Sequence, residues 1–258
     1  MSYETITLDI AENIATVRMN RPDKYNALSS QMRAELAAAI RKGAAEARVV
    51  VLTGNGKAFC SGQDLSDGGS LANPDLERTL RDEYQPLVRA IVEAPVPVIA
   101  AVNGAAAGAG ANIALSCDVV IATESAYFMQ AFSKIGLIPD AGGTYWLPRS
   151  IGAPKAMGAA LFGEKITARD ADAWGMIWEA VADDDFDAHW KTRASQLANG
   201  PTVAFSKIKQ TVRESWGNDL NAQLDREGKA QGVCGGSRDF QEGVLAFLEK
   251  RSPRYEGR

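Results

Sequence analysis

Two short all-apolar runs, Val49-Val50-Val51-Leu52 and Pro97-Val98-Ile99-Ala100-Ala101-Val102, constrain this chain more than any other feature. Neither alternates as a half-exposed strand does, so each reads as a strand buried on both faces. Each opens into a loop of glycine and small residues, from Thr53 to Gly62 after the first and from Asn103 to Gly110 after the second. A helix follows in both cases, from about Pro74 to Ala94 and then through Leu115, and Val119-Val120-Ile121-Ala122 supplies a further strand. Strand, glycine loop and helix thus occur twice, which predicts an α/β fold of repeated ββα units rather than a single Rossmann wrap.

The flanking segments fit around that repeat. Ile6, Leu8 and Ile10 alternate before the Glu12-Asn13 turn, and Ile14, Thr16, Val17 and Met19 follow it, as in a hairpin. Ser29 or Ser30 caps a helix carrying Met32, Leu36, Ala39 and Ile40 on one face and ending near Gly43. The polar insert Ser66-Asp67-Gly68-Gly69-Ser70 reads as a lid-like loop. Beyond about Lys165 strand signals fade, and helices are expected over Asp187–Ala198, Val203–Ser215, Leu220–Val233 and Asp239–Lys250. This divides the chain into a core over residues 1–195 and a helical region over 196–258.

A net charge of −4 gives no global attraction to nucleic acid or to an anionic membrane. The apolar tract from Val96 to Leu115 is broken by Pro97, Asn103, glycines and Asn112, so it is no membrane span. Cys60, Cys117 and Cys234 form no CxxC, and with His189 as the only histidine they make no usual zinc site, so no metal is expected. The start, Met1-Ser2-Tyr3-Glu4, lacks a basic and then apolar leader pattern, and a reducing cytoplasm is the expected compartment.

Neither glycine loop is a nucleotide fingerprint. Gly108-Ala109-Gly110 meets Ile113 where a third glycine belongs, and around Gly54-Asn55-Gly56-Lys57 a phosphate loop would need glycine at Val51 and a hydroxyl at Ala58. What the loops share is a tight small-residue turn at the start of a helix, which frees backbone N–H groups. Two such turns could converge as an oxyanion hole, or they could serve only close strand–helix packing. Asp140 stands alone among apolar residues and glycines in Gly136-Leu137-Ile138-Pro139-Asp140-Ala141-Gly142-Gly143-Thr144. Phe132, Ile135, Leu137, Ile138 and Trp146 lie near enough in sequence to desolvate it and strengthen it as a base; capping the helix that starts at Gly142-Gly143-Thr144 is the alternative.

Several stretches together carry a resemblance. Lys57-Ala58-Phe59-Cys60-Ser61-Gly62-Gln63-Asp64-Leu65, the run Pro97 to Gly104, Gly108-Ala109-Gly110 and Ile138 to Thr144 resemble, in order, the signature regions of the crotonase (enoyl-CoA hydratase/isomerase) superfamily. Asn20-Arg21-Pro22, Asn26-Ala27-Leu28 and Glu242 to Arg251 extend the likeness over nearly the whole chain. The resemblance implies a ClpP-like spiral of ββα units with a C-terminal α-helical region that packs into trimers or hexamers, and Phe162, Ile166, Trp174, Phe205 and Phe247 would help make such a core or interface.

It also implies a site. The amides of Gln63 and Ala109 would hold a thioester oxygen, and Asp140 falls where some family isomerases place their single acid/base carboxylate. Arg21, Lys24 and Lys250 are candidates to meet CoA phosphates, and Ala27, Leu28, Ala58, Ser61, Asp64 and Leu65 to line the adenine and pantetheine channel. Coenzyme A would enter as part of an acyl-CoA substrate, with no separate cofactor. Where family hydratases carry their two water-holding glutamates, this chain has Asn112 and Phe132. The stretches Phe128 to Gly136 and Trp174 to Trp178 look like the branch that converts 1,2-epoxyphenylacetyl-CoA to the oxepin thioester and also shifts C3 double bonds to C2. Two rival readings are an aryl-CoA dehalogenase with Asp140 as nucleophile, which would want a histidine in the first half of the chain, and a non-catalytic binding protein on the same fold.

Overall fold

Strand pairing sorts the chain into two sheets according to each strand's place in its repeat. The computed structural model describes residues 3–66 and 75–258. The hairpin β1 (Ile6–Ala11) and β2 (Ile14–Met19) turns through Glu12 and Asn13, both at positive φ, as a two-residue hairpin requires. Helix α1 (Ser30–Glu46) follows, with the Ser29 hydroxyl accepting from the Met32 amide. Then come three units. The first is β3 (Val49–Gly54), β4 (Ala58–Cys60) and a helix made of α2 (Leu76–Thr79), a π-helical turn Leu80–Tyr84, and α3 (Gln85–Val92). The second is β5 (Val98–Val102), β6 (Ala105–Ala107) and α4 (Ala109–Ser116). The third is β7 (Val119–Thr123), β8 (Tyr127–Met129) and α5 (Gly143–Phe162), which kinks where Gly152 leaves helical geometry. There follow β9 (Lys165–Thr167), α6 (Ala168–Ala173), β10 (Glu179–Val181), α7 (Phe186–Ala198), α8 (Thr202–Glu214), α9 (Leu220–Gly235) and α10 (Arg238–Glu249).

The first strand of each unit enters a six-stranded sheet of order β1-β2-β3-β5-β7-β10, and the second enters a four-stranded sheet of order β4-β6-β8-β9. The expected spiral of ββα units is therefore present three times. Both faces of the large sheet are covered, which explains the unbroken apolar runs. Val50, Leu52, Val98 and Ala100 face one core with α1, α3 and α4, while Val49, Val51, Ile99 and Ala101 meet Phe186, Trp190, Ala194 and Ala198 of α7. Since α7 covers that sheet and runs past residue 195, the boundary expected there falls inside a helix.

Several local expectations need correction. Helix α1 does not stop near Gly43 but runs to Glu46; a Cβ on Gly43 would stand 2.7 Å from that of Ala15, so the glycine serves close packing on β2. The stretch Thr53 to Gly62 is no simple loop, because β3 continues to Gly54 and β4 lies within it. Strands also persist beyond Lys165, as β9 and β10. Pro74 and most of the polar insert after Ser66 lie outside the described residues; the helix there is described from Leu76, capped by Asp75. Among the C-terminal candidates, Phe162 and Phe247 are exposed, whereas Ile166 and Trp174 pack into the core of this chain. No described helix is long and apolar enough to cross a membrane.

One contact fixes the geometry between units. A Cβ on Gly110 would lie 2.5 Å from the Cys60 carbonyl oxygen and 2.6 Å from its Sγ, so α4 rests directly on the end of β4. Both neighbours are rigid, and Cys60 is fully enclosed. Gly110→Ala should therefore destabilise by about 1–3 kcal/mol despite the better helix propensity of alanine. A denaturant midpoint equal to or above that of the wild type would show that α4 is free to shift.

Candidate active site

The pairing of β4 with β6 sets two glycine turns side by side. Gly62 (φ 98°) and Gly108 (φ 53°) end those strands in left-handed conformations that a side chain would strain. A Cβ on Gly62 would be 3.0 Å from the Ala107 carbonyl and 3.7 Å from the Ala109 nitrogen, so the turns nearly touch. Gln63 and Ala109 follow these glycines. Leu28 uses the groups on either side of Gln63, donating to the Gly62 carbonyl (2.8 Å) and accepting from the Asp64 amide (3.1 Å), which turns the Gln63 N–H the other way. Ala109 opens α4, where an N–H has no carbonyl one turn back. Among the described residues neither amide donates a hydrogen bond.

Asp140 faces the same space. A cavity of about 190 Å³ is walled by Gln63, Leu76, Leu80, Leu137, Ile138 and Asp140, among others, and Asp140 is the one carboxylate among its described lining residues. Asp140 is not a helix cap: Gly142 holds that position, and the aspartate's backbone carbonyl accepts from the Gly143 amide (2.8 Å) and from Asn112 Nδ2 (2.8 Å). Its Oδ1 is buried with no hydrogen-bond partner. Burial pushes the carboxyl up to about 6, while its own backbone N–H and the charge of Arg33 restrain the rise. The turn that presents it is strained, since Ala141 takes φ 47° ahead of Gly142 at φ 87°.

Residues that the sequence did not single out support this arrangement. Tyr84, at the end of the π-helical turn, is buried and donates from its hydroxyl to Gln63 Oε1 (3.3 Å). Arg33 lies behind it, 4.8 Å over its ring, donating to the Leu28 carbonyl (2.7 Å) and pairing with Glu83 (2.6 Å). A guanidinium within the apolar stripe Arg33, Ala37, Ile40 and Ala44 of α1 was the available signal. Of the residues expected to desolvate Asp140, Leu137 and Ile138 line the cavity but, like Ile135, are exposed, and Phe132 lies 3.7 Å from the Cβ position of Gly108. Trp146 packs instead against Tyr145 and Trp216.

The expected CoA contacts divide. Lys24, Ala27 and Leu28 lie in one segment joined to Ala58, Ser61, Asp64 and Leu65 by the Leu28–Gln63 bridge, by Ser61 N–H to the Tyr25 carbonyl, and by Asn26 Nδ2 to the Ala58 carbonyl. Within it Lys24, Ser61 and Leu65 are exposed and Ala27, Leu28 and Ala58 are buried. Asp64 and Arg21 pair with each other at 2.8 Å, and the Ser66 hydroxyl, then Arg21, hold the Asp64 carboxyl low. Lys250 is not brought to this segment; it caps α10 at the other end of the chain. His189, which a dehalogenase reading would need nearby, sits on α7 against Glu179 (2.7 Å) and does not line the cavity. Among the described residues no group of three or more His, Cys, Asp or Glu could hold a metal ion.

Residues 9–258 match the model of the enoyl-CoA hydratase/isomerase family. A Rhodobacter capsulatus protein described as a probable enoyl-CoA hydratase is 57% identical over the full length of both chains. The Escherichia coli 1,2-epoxyphenylacetyl-CoA isomerase is 44% identical over 99% of each. The crystal structure of an enoyl-CoA hydratase from Bacillus anthracis superposes with a TM-score of 0.93 at 32% identity, covering 99% of this chain and 100% of the other.

The buried Asp140 carboxylate carries a stability cost with a defined sign. Its folded pKa is raised, so the neutral form fits the fold better, and the penalty is absent at low pH and complete once the pH exceeds about 6. Asp140→Asn should therefore raise the thermal midpoint at pH 8, with the gain shrinking as the pH falls from about 6 toward the usual carboxylate range. Identical midpoints at pH 8 would mean that the carboxylate is well solvated.

Proposed function

The chain belongs to the enoyl-CoA hydratase/isomerase family, and from that premise we propose that it is a CoA-thioester isomerase acting on 1,2-epoxyphenylacetyl-CoA, with Δ3–Δ2 enoyl-CoA isomerase activity. The observation that carries this reading is Asp140 Oδ1, buried and unpaired at a cavity shared with Gln63. In the double-bond shift, the Gln63 and Ala109 amides receive the thioester oxygen, and Asp140 removes a proton from C2. The electrons pass through the C3–C4 double bond into a dienolate held by the two amides, and Asp140 returns the proton at C4. Each such amide contributes on the order of 3 kcal/mol to an enolate-like transition state. The conversion of epoxide to oxepin likewise retains every atom, so neither reaction needs a metal or a redox cofactor, and coenzyme A arrives as part of the substrate.

Two features favour isomerisation over hydration. Asn112 has its side-chain amide engaged on both sides, and Phe132 packs near the second glycine turn, so among the described residues no second carboxylate lines the cavity with Asp140 to hold a water. The 44% identity to an epoxyphenylacetyl-CoA isomerase supports the finer choice of substrate. A base of raised pKa suits the work, since proton abstraction is most effective when the catalytic pKa lies near the working pH.

For assembly we propose a homo-oligomer, trimer or hexamer, through the C-terminal helices of residues 196–258. Phe247, Leu248, Ile208 and Val212 are exposed there around a cavity of about 840 Å³. Sedimentation should give three or six times 27.5 kDa, and a monomer mass would remove this part of the proposal.

Incubation with 3-hexenoyl-CoA should yield the conjugated 2-enoyl thioester, with an acid limb in kcat/KM near pH 6, and Asp140→Asn should lose roughly a hundredfold or more. Conversion that survives the substitution would remove Asp140 as the base. A covalent adduct trapped on Asp140 with a halogenated aryl thioester would favour the nucleophilic alternative.

A further inference from the structure

A polar relay, enclosed at its Gln130–Asn112 end, ties the proposed base to the helix that carries one of the free amides. Gln130 Nε2 donates to Asn112 Oδ1 at 2.8 Å, and Asn112 Nδ2 donates to the Asp140 carbonyl at 2.8 Å. Asn112 is completely buried and Gln130 is 1% exposed, so these bonds form in a dry interior where an unpaired donor is costly. Because Gln130 donates, the oxygen of the Asn112 amide is fixed toward it and the nitrogen toward Asp140. Gly143 leaves room for this: a Cβ there would stand 2.4 Å from Asn112 Nδ2.

Asn112 lies three residues after Ala109 on α4, on the same helical face. The Ala109 amide and the anchor of Asp140 are therefore about 4.5 Å apart along one rigid axis. Without the anchor, the backbone at Asp140 would depend on the strained Ala141-Gly142 turn alone. From this geometry we infer that Asn112, oriented by Gln130, is a positioning residue that sets the reach of the Asp140 carboxylate relative to the thioester-binding amides. The inference rests on the isomerase reading of the site. It assigns Asn112 the role of holding protein backbone rather than a water.

The test compares wild type, Asn112→Leu, Asn112→Asp, Gln130→Leu and Asp140→Asn. Leucine keeps the volume and removes both polar atoms; aspartate keeps the shape and turns the donor toward Asp140 into an acceptor. With 3-hexenoyl-CoA, kcat should fall about 10–100-fold in both Asn112 variants and less in Gln130→Leu, as for residues that orient a reactive group. KM, and Kd for saturated hexanoyl-CoA, should stay within about threefold, because the amides and the acyl channel are intact. In Asn112→Leu and Gln130→Leu the acid limb of kcat/KM should also move to lower pH, because a loosened carboxylate meets more water.

If kcat stays near wild type in folded Asn112→Leu or Asn112→Asp while Asp140→Asn is inactive, the positioning role is overturned and the isomerase reading stands. Equal losses in kcat and in hexanoyl-CoA binding also overturn it, since they would show that Asn112 merely supports the loop. Should Asn112→Leu fail to fold, Asn112→Asp and Gln130→Leu decide by the same criteria. An inactive wild type, or an active Asp140→Asn, instead fails the isomerase reading and takes this inference with it.

Discussion

A carboxylate oxygen buried without a hydrogen bond is the constraint around which this molecule is organised. Water would hydrate Asp140 and return it to an ordinary weak base; burial of the carboxyl beside the cavity raises its pKa to about 6. The fold tolerates that cost together with the left-handed Ala141, and both sit at the cavity rather than scattered through the core. The surrounding polar groups are by contrast satisfied: Asn112, Gln130 Nε2, Arg33 and Asn26 all have partners. Among the described residues Asp140 Oδ1 shares the lack of a hydrogen-bond partner with Tyr3 Oη, Gln130 Oε1, Trp146 Nε1 and Glu214 Oε2, and of these it alone belongs to a residue lining the cavity, which on the proposed reading makes it the reactive position.

The repeat explains how so irregular a site is held rigidly. Each unit sends its first strand to the large sheet and its second to the small one, so the turn after the second strand always falls beside its counterpart from the neighbouring unit. The first two units thereby deliver Gln63 and Ala109 together, and the third delivers Asp140 to the cavity that Gln63 lines. The close contact of Gly110 with Cys60 and of Gly143 with Asn112 removes the remaining freedom between units. Site geometry thus follows from sheet register and from small residues at contacts, with few side chains needed to build it.

Legibility in the sequence followed the length of each signal. The two-sided strands were readable because four to six consecutive apolar residues have few other uses, and α8 to α10 because helical periodicity persists over several turns. Strands β4, β9 and β10 have three residues each, too few to show any period, and their existence depends on a partner strand distant in sequence. Gly43 looked like a stop because helices commonly end at glycine; its neighbour Ala15, 28 residues earlier, explains it better. Asp140 was readable as a lone acid among apolar residues. Arg33 and Tyr84 were not, since each in isolation is an ordinary member of a helical stripe and only tertiary packing places them behind the site. Arg21 and Asp64 looked like separate ligand contacts, and the structure pairs them with each other.

Arg33 resolves a tension inherent in a buried base. Desolvation raises the carboxyl, and its own backbone N–H, then the charge of Arg33, limit the rise. A cation placed in contact would form an ion pair and return the base to weakness. Arg33 takes an intermediate place: it lowers the Asp140 pKa by its charge without bonding to it, while Glu83 holds the guanidinium and offsets part of its field. The Tyr84 ring lies against that guanidinium, and burial pushes the Tyr84 hydroxyl up, so it remains a neutral donor toward Gln63. Burial, opposed by the backbone N–H of Asp140 and by a remote, partly compensated charge, therefore holds the carboxyl at about 6, the range that suits the proposed base.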